Sequence, residues 1–170
     1  AGVGGRDDIV MARRLVLVSH RFLHHSDHSG YDRLAEFLKP DEVRASRLNH
    51  WLSLGGRIGP VYSRANALTD LDLLPSALRG PDALFHALYS ENTMRLLPWL
   101  RGSRHRVVAS VHQPAAFFER LFRGVSGGYW RGVYGRLDGV VTLCLAQRRP
   151  FEALLGPERV WTILYGVDTA

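Results

Sequence analysis

The chain has one cysteine, Cys144, and one lysine, Lys39. A single cysteine excludes any internal disulfide and any zinc site built on thiolates, and it is compatible with a reducing cytoplasm. No apolar run approaches the roughly 20 residues of a membrane span; the longest are Leu15 to Val18 and Gly139 to Leu145. The amino end, Ala1-Gly-Val-Gly-Gly-Arg-Asp-Asp8, lacks an initiating Met and the apolar core of a secretory signal. A start at Met11 fits the first strand better, so residues 1–13 are expected to be a disordered lead ahead of the domain. Also missing are a Gly-x-Gly-x-x-Gly turn after the first strand, a Gly-x-x-x-x-Gly-Lys phosphate loop and a Gly-x-Ser-x-Gly nucleophile elbow, which argues against dinucleotide-binding enzymes, P-loop NTPases and α/β-hydrolases.

What is present begins with size and charge. The 170 residues, 46% of them hydrophobic, suffice for one domain with a real core. The net charge of +6 and a pI near 10.1 suggest an anionic partner. Of the 22 basic residues all but Lys39 are Arg. Such a bias also arises in a GC-rich genome without any anion to bind, and the Arg are scattered.

Apolar, β-branched runs alternate with helical patterns, the mark of an α/β fold with a parallel, doubly wound sheet. Strands are predicted at Arg14–Ser19, Asp82–Tyr89, Arg106–His112, Leu137–Leu143 and Arg159–Tyr165. Helices are predicted at 31–38, 92–100 with an interruption near Pro98, 114–122 with Pro114 as first residue, and 146–155 stopped by Gly156-Pro157. Residues 41 to 80 are hard to read: 57–63 could be a strand and 71–78 a short helix. In a doubly wound sheet, ligands bind beyond the carboxyl ends of the strands, so polar residues at those ends carry the functional reading.

The first such end is His20-Arg-Phe-Leu-His24-His25-Ser-Asp27-His28-Ser29-Gly30-Tyr31. Its histidines invite a metal, but their spacing matches no helical His pair and no further ligand closes the set, so no metal is expected. Ser29-Gly30 at a helix amino end suits a phosphate, since free backbone N–H groups and the helix dipole favour an anion there. Alternatively, Ser29 simply caps the helix. His112, after a central strand, faces the same crevice and can donate one hydrogen bond and accept another; a loop histidine bonded to backbone is the alternative. Ser90 and Glu91 put a hydroxyl and a carboxylate on that rim, unless Ser90 or Asn92 merely caps the next helix. The stretch Phe117 to Arg136 interleaves aromatics with Arg and leaves three readings open: nucleic acid, a helix resting on anionic lipid, or a helix pair broken at Gly127-Gly128 whose aromatics pack on the sheet.

Four ordered features give these residues a family likeness: the glycine-containing loop after the first strand, the strand ending in Val111-His112, the Leu-Asp-Gly-Val-Val-Thr strand from Leu137, and the terminal Gly166-Val-Asp168. From Arg14 onward the chain resembles the amino-terminal domain of a retaining GT-B glycosyltransferase of the family-four group. The resemblance implies a Rossmann-like domain over 14–165, with 166–170 opening the linker to a second domain. It implies a nucleotide-sugar donor, a carbohydrate or lipid-linked acceptor, and no metal or other cofactor. Ser29, Gly30 and Tyr31 would approach the donor phosphates and His112 the donor sugar. His24, His25, Asp27, His28, Ser90 and Glu91 would shape the acceptor site. The location implied is the cytoplasm, including the inner membrane face, with nucleic acid disfavoured as a partner. Two positions depart from the family pattern: Cys144 stands where a helix-capping Ser is usual, and Leu164-Tyr165 stand where Pro-Asn is more common. The family's spaced glutamates belong to a second domain and are absent from these residues. A rival from another class is a non-catalytic α/β module using its Arg-aromatic surface on nucleic acid or anionic membrane.

Overall fold

The computed structural model describes residues 14–19, 38–45, 47–52, 54, 69–88, 90, 94–100 and 104–163. Within them lies a six-stranded, all-parallel sheet formed by β1 (Arg14–Ser19), β2 (Glu42–Ala45), β3 (Ala83–Ala87), β4 (Arg106–Val111), β5 (Gly139–Thr142) and β6 (Val160–Thr162). The strand order is β2-β1-β3-β4-β5-β6. The helices are α1 (Arg47–Leu52), α2 (Thr69–Arg79), α3 (Leu97–Leu100), α4 (Ala115–Arg123), α5 (Gly127–Tyr134) and α6 (Arg148–Leu155). The protein is a Rossmann-like α/β fold.

Strand alternation decides where the core lies. Phe85 is in register with Val16 on one side and Val107 on the other, and all three are buried on one face. There they join Leu73 and Ala77 of α2 and a cluster of rings from the last three helices. Phe118 sits at its centre, with ring centroids 4.8 Å from Phe151 and 5.9 Å from Tyr134 in edge-on geometry. Burying one such ring stabilises the fold by about 1.5–3 kcal/mol. The opposite face is thinner: Leu17 and Leu88 are buried against Leu15 and Leu38, while Leu84, His86 and Val108 are half-buried.

Several boundaries differ from the sequence expectations. Strand β2 carries little sequence signal because it is a four-residue edge strand whose Val43 is exposed; the Glu42–Arg14 ion pair and the hydrogen bond from the Leu15 N–H to the Asp41 carboxylate anchor it to β1. Helix α2 is longer than predicted and tolerates Pro75 inside it. Helix α3 starts only at Leu97, because buried Asp70 of α2 accepts hydrogen bonds from the backbone N–H groups of Arg95, Leu96 and Leu97. A carboxylate from another helix thus does the capping, and Pro98 falls in the first turn, where its missing N–H costs nothing. Pro114 precedes α4 rather than opening it. Helix α6 ends at Leu155 as predicted, with Gly156 at φ 88°, a backbone conformation that glycine adopts at no steric cost. Residues 31–37 of the helix predicted at 31–38, the strand predicted at 57–63, the linker at 166–170 and residues 1–13 lie outside the described residues.

Candidate functional site at the carboxyl edge of the sheet

From β1 the chain passes outward to β2, then returns across β1 to β3 and continues in that direction. The connections therefore diverge between β1 and β3, which makes the crevice above their carboxyl ends the switch point where such sheets hold ligands. Leu88, one residue past β3 and buried against Leu17, lies at that edge. Its N–H donates to the Val18 carbonyl of β1 at 2.9 Å, and its own carbonyl accepts from Nε2 of His112, one residue past β4. A single residue thus joins three strands at the crevice.

That bond assigns the His112 tautomer. A carbonyl only accepts, so in the neutral ring Nε2 carries the hydrogen and Nδ1 is the basic nitrogen. Burial lowers the His112 pKa below the ordinary histidine value, and the Leu88 carbonyl opposes this by favouring the charged ring. Below it on the same face, Nε2 of His86 lies 2.9 Å from Oγ of Ser110 across the β3–β4 pair. Burial, followed by repulsion from His112, pushes the His86 pKa down to about 4. At neutral pH both rings are uncharged, and the pair offers hydrogen bonding rather than cationic charge.

Ser90 is fully buried, and its hydroxyl donates to the Ser110 carbonyl at 3.2 Å and lies 3.0 Å from the Tyr134 hydroxyl. It sits beneath the rim, fastening the end of β3 to β4 and α5. His24, His25, Asp27, His28, Ser29, Gly30, Tyr31 and Glu91 lie outside the described residues. Among the described residues, no group of three or more His, Cys, Asp and Glu could hold a metal ion, and no helix is long and apolar enough to cross a membrane.

Sequence reasoning missed Gln147. Buried in the 3₁₀ turn that opens α6, its Oε1 accepts from the N–H groups of Leu143 at 2.7 Å and Cys144 at 3.2 Å. Its Nε2 donates to the Gln113 carbonyl at 2.8 Å. The loop after β5 is thereby tied to the residue following His112. The signal was there: Cys144-Leu-Ala-Gln147 has the spacing of a capping box, obscured by Cys in place of Ser or Thr. His86 was likewise visible in the strand pattern but had no role until Ser110 was found opposite it. Compared with known proteins, the chain matches no protein-family model and no curated sequence.

Proposed function

We propose that this Rossmann-like domain is the acceptor-side domain of a retaining GT-B glycosyltransferase, which moves a sugar from a nucleotide-sugar donor to a carbohydrate or lipid-linked acceptor. The supporting observation is the placement of His112: its ring is fixed by the Leu88 carbonyl at the edge of the β1/β3 switch point, with Nδ1 as the acceptor for a hydroxyl. A neutral imidazole suits a sugar hydroxyl better than a phosphate, which calls for cations or N–H donors. The phosphate role falls to Ser29, Gly30 and Tyr31, and the acceptor role to His24, His25, Asp27, His28 and Glu91. Ser90 supports that rim from below. In this reading no metal or other cofactor takes part. Catalysis rests on stabilising the leaving phosphate and on a sugar contact that strengthens as the glycosidic bond breaks.

The test is a transfer and hydrolysis assay of the full gene product against a panel of nucleotide sugars. Turnover of one donor with retained anomeric configuration is expected. Failure to turn over or bind any nucleotide sugar would overturn the reading.

A further inference from the structure

The aromatic-Arg stretch divides in two once folded. Phe118, Phe122, Trp130 and Tyr134 are buried in the core, so packing accounts for most of the aromatics. What remains outside is joined by a second element. Trp99 of α3, 46% exposed, lies along α5 with its ring edge 3.0 Å from where a Cβ on Gly132 would stand. The Arg136 guanidinium sits over the Trp99 ring at 3.4 Å from its centroid and donates to the Gly132 carbonyl at 3.3 Å. One helical turn earlier Tyr129, 42% exposed, donates its hydroxyl to the Arg95 carbonyl at 3.2 Å, next to exposed Leu96. Tyr129, Gly132 and Arg136 recur at the spacing of one helix face. At the amino end of α5, the corner before it leaves Val125 fully exposed beside exposed Arg123. Across α4 and α5, from Ala115 to Arg136, the sequence has four arginines, all exposed, and one acid, Glu119.

We propose that this α3–α5 facet docks on the surface of an anionic lipid bilayer. The observations fit a bilayer better than a nucleic acid. Arg136 already covers one face of Trp99, and the Tyr129 hydroxyl is engaged, whereas single-stranded nucleic acid needs open ring faces on which bases stack. An interface instead takes amphipathic rings edge-in, with guanidinium groups at the level of the lipid phosphates. The charge imbalance supplies the attraction, at roughly fivefold in partitioning per Arg that reaches the surface. This surface is independent of the sugar chemistry proposed at the carboxyl edge, and either reading can fail without the other.

The experiment is co-sedimentation of the full chain with vesicles of phosphatidylcholine alone or mixed with phosphatidylglycerol, at low and high salt, alongside a single-stranded oligonucleotide. Expected are binding to the mixed vesicles only, its loss at high salt, and a fall on the order of tenfold or more in Arg123→Glu/Arg136→Glu with unchanged circular dichroism. If that double variant misfolds, Val125→Asp and Trp99→Phe serve instead: the first should weaken binding, and the second should remove part of the fluorescence quenching by brominated lipid. Equal binding to both vesicle types, binding to neither, full binding by the folded double variant or by Val125→Asp, unchanged quenching in Trp99→Phe, or tighter binding to the oligonucleotide would each overturn the proposal.

Discussion

Gln147 and Gln113 are joined by one hydrogen bond of 2.8 Å, side-chain amide to backbone carbonyl, that spans the loops leaving β5 and β4 at the carboxyl edge. Because Gln147 also serves two N–H groups of its own loop, Gln147→Ala removes the partner of part-buried backbone groups on both sides. We expect a loss of about 1–3 kcal/mol in unfolding free energy. Hydrogen exchange supplies the local test: the Leu143 and Cys144 amides should lose protection beyond the global change. Unaltered protection would show that the staple contributes nothing.

His112→Ala separates two roles. Removing the donor to the Leu88 carbonyl should cost about 1 kcal/mol of stability, so the variant folds with a lowered Tm. If the ring also binds the donor sugar, kcat/KM of the full gene product falls a further ten- to a hundredfold per folded molecule, which corresponds to about 1.5–3 kcal/mol of transition-state contact. A destabilised variant with full specific activity would remove His112 from the site.

His86 makes stability depend on pH. Its folded pKa of about 4 lies below the unfolded value of 6.5, so between them the unfolded chain binds the extra proton. The contribution is therefore complete above pH 6.5 and is lost as the pH falls toward 4, by on the order of 3 kcal/mol at most. Asp70 has the opposite sign, because burial raises its pKa above 3.8 and its contribution fades as pH rises through the folded value. Comparing Tm between pH 4 and 7 for the wild type and His86→Gln isolates the histidine. A variant with the same slope as the wild type would refute the assignment.

Gly127 and Gly128 are adjacent, yet their substitution should diverge. A Cβ on Gly127 would overlap the Phe122 carbonyl oxygen, which is backbone and cannot step aside, whereas one on Gly128 meets nothing within 4 Å. Gly127→Ala should destabilise by about 1–3 kcal/mol through forced backbone shifts. Gly128→Ala should be neutral or stabilise by up to about 1 kcal/mol, since Ala is the better helix former. Equal effects in thermal melts would contradict this account of the start of α5.

The sequence by itself determined the alternation of elements, the positions of β1, β3, β4, β5 and β6 to within a few residues, the stop of α6 at Gly156, and a helix pair across residues 117–136, although the break falls at 124–126, with Gly127 and Gly128 opening α5, rather than at Gly127-Gly128 as expected. These features rest on local patterns: apolar runs of strand length, helical periodicity, and glycine or proline where the backbone turns. Tertiary structure alone decided what depends on partners far along the chain. Strand β2 has no hydrophobic signature and exists because β1 offers an edge beside it. Helix α3 starts where Asp70 supplies a cap from α2. At the site, His112 was legible as a rim residue, but its tautomer comes from Leu88, the suppression of His86 ionisation from burial under the β3–β4 pair, and the role of Gln147 from a carbonyl 34 residues away. Hydrogen bonds and desolvation act through space, and a side chain's sequence neighbours do not reveal which group will face it or how much water will remain around it.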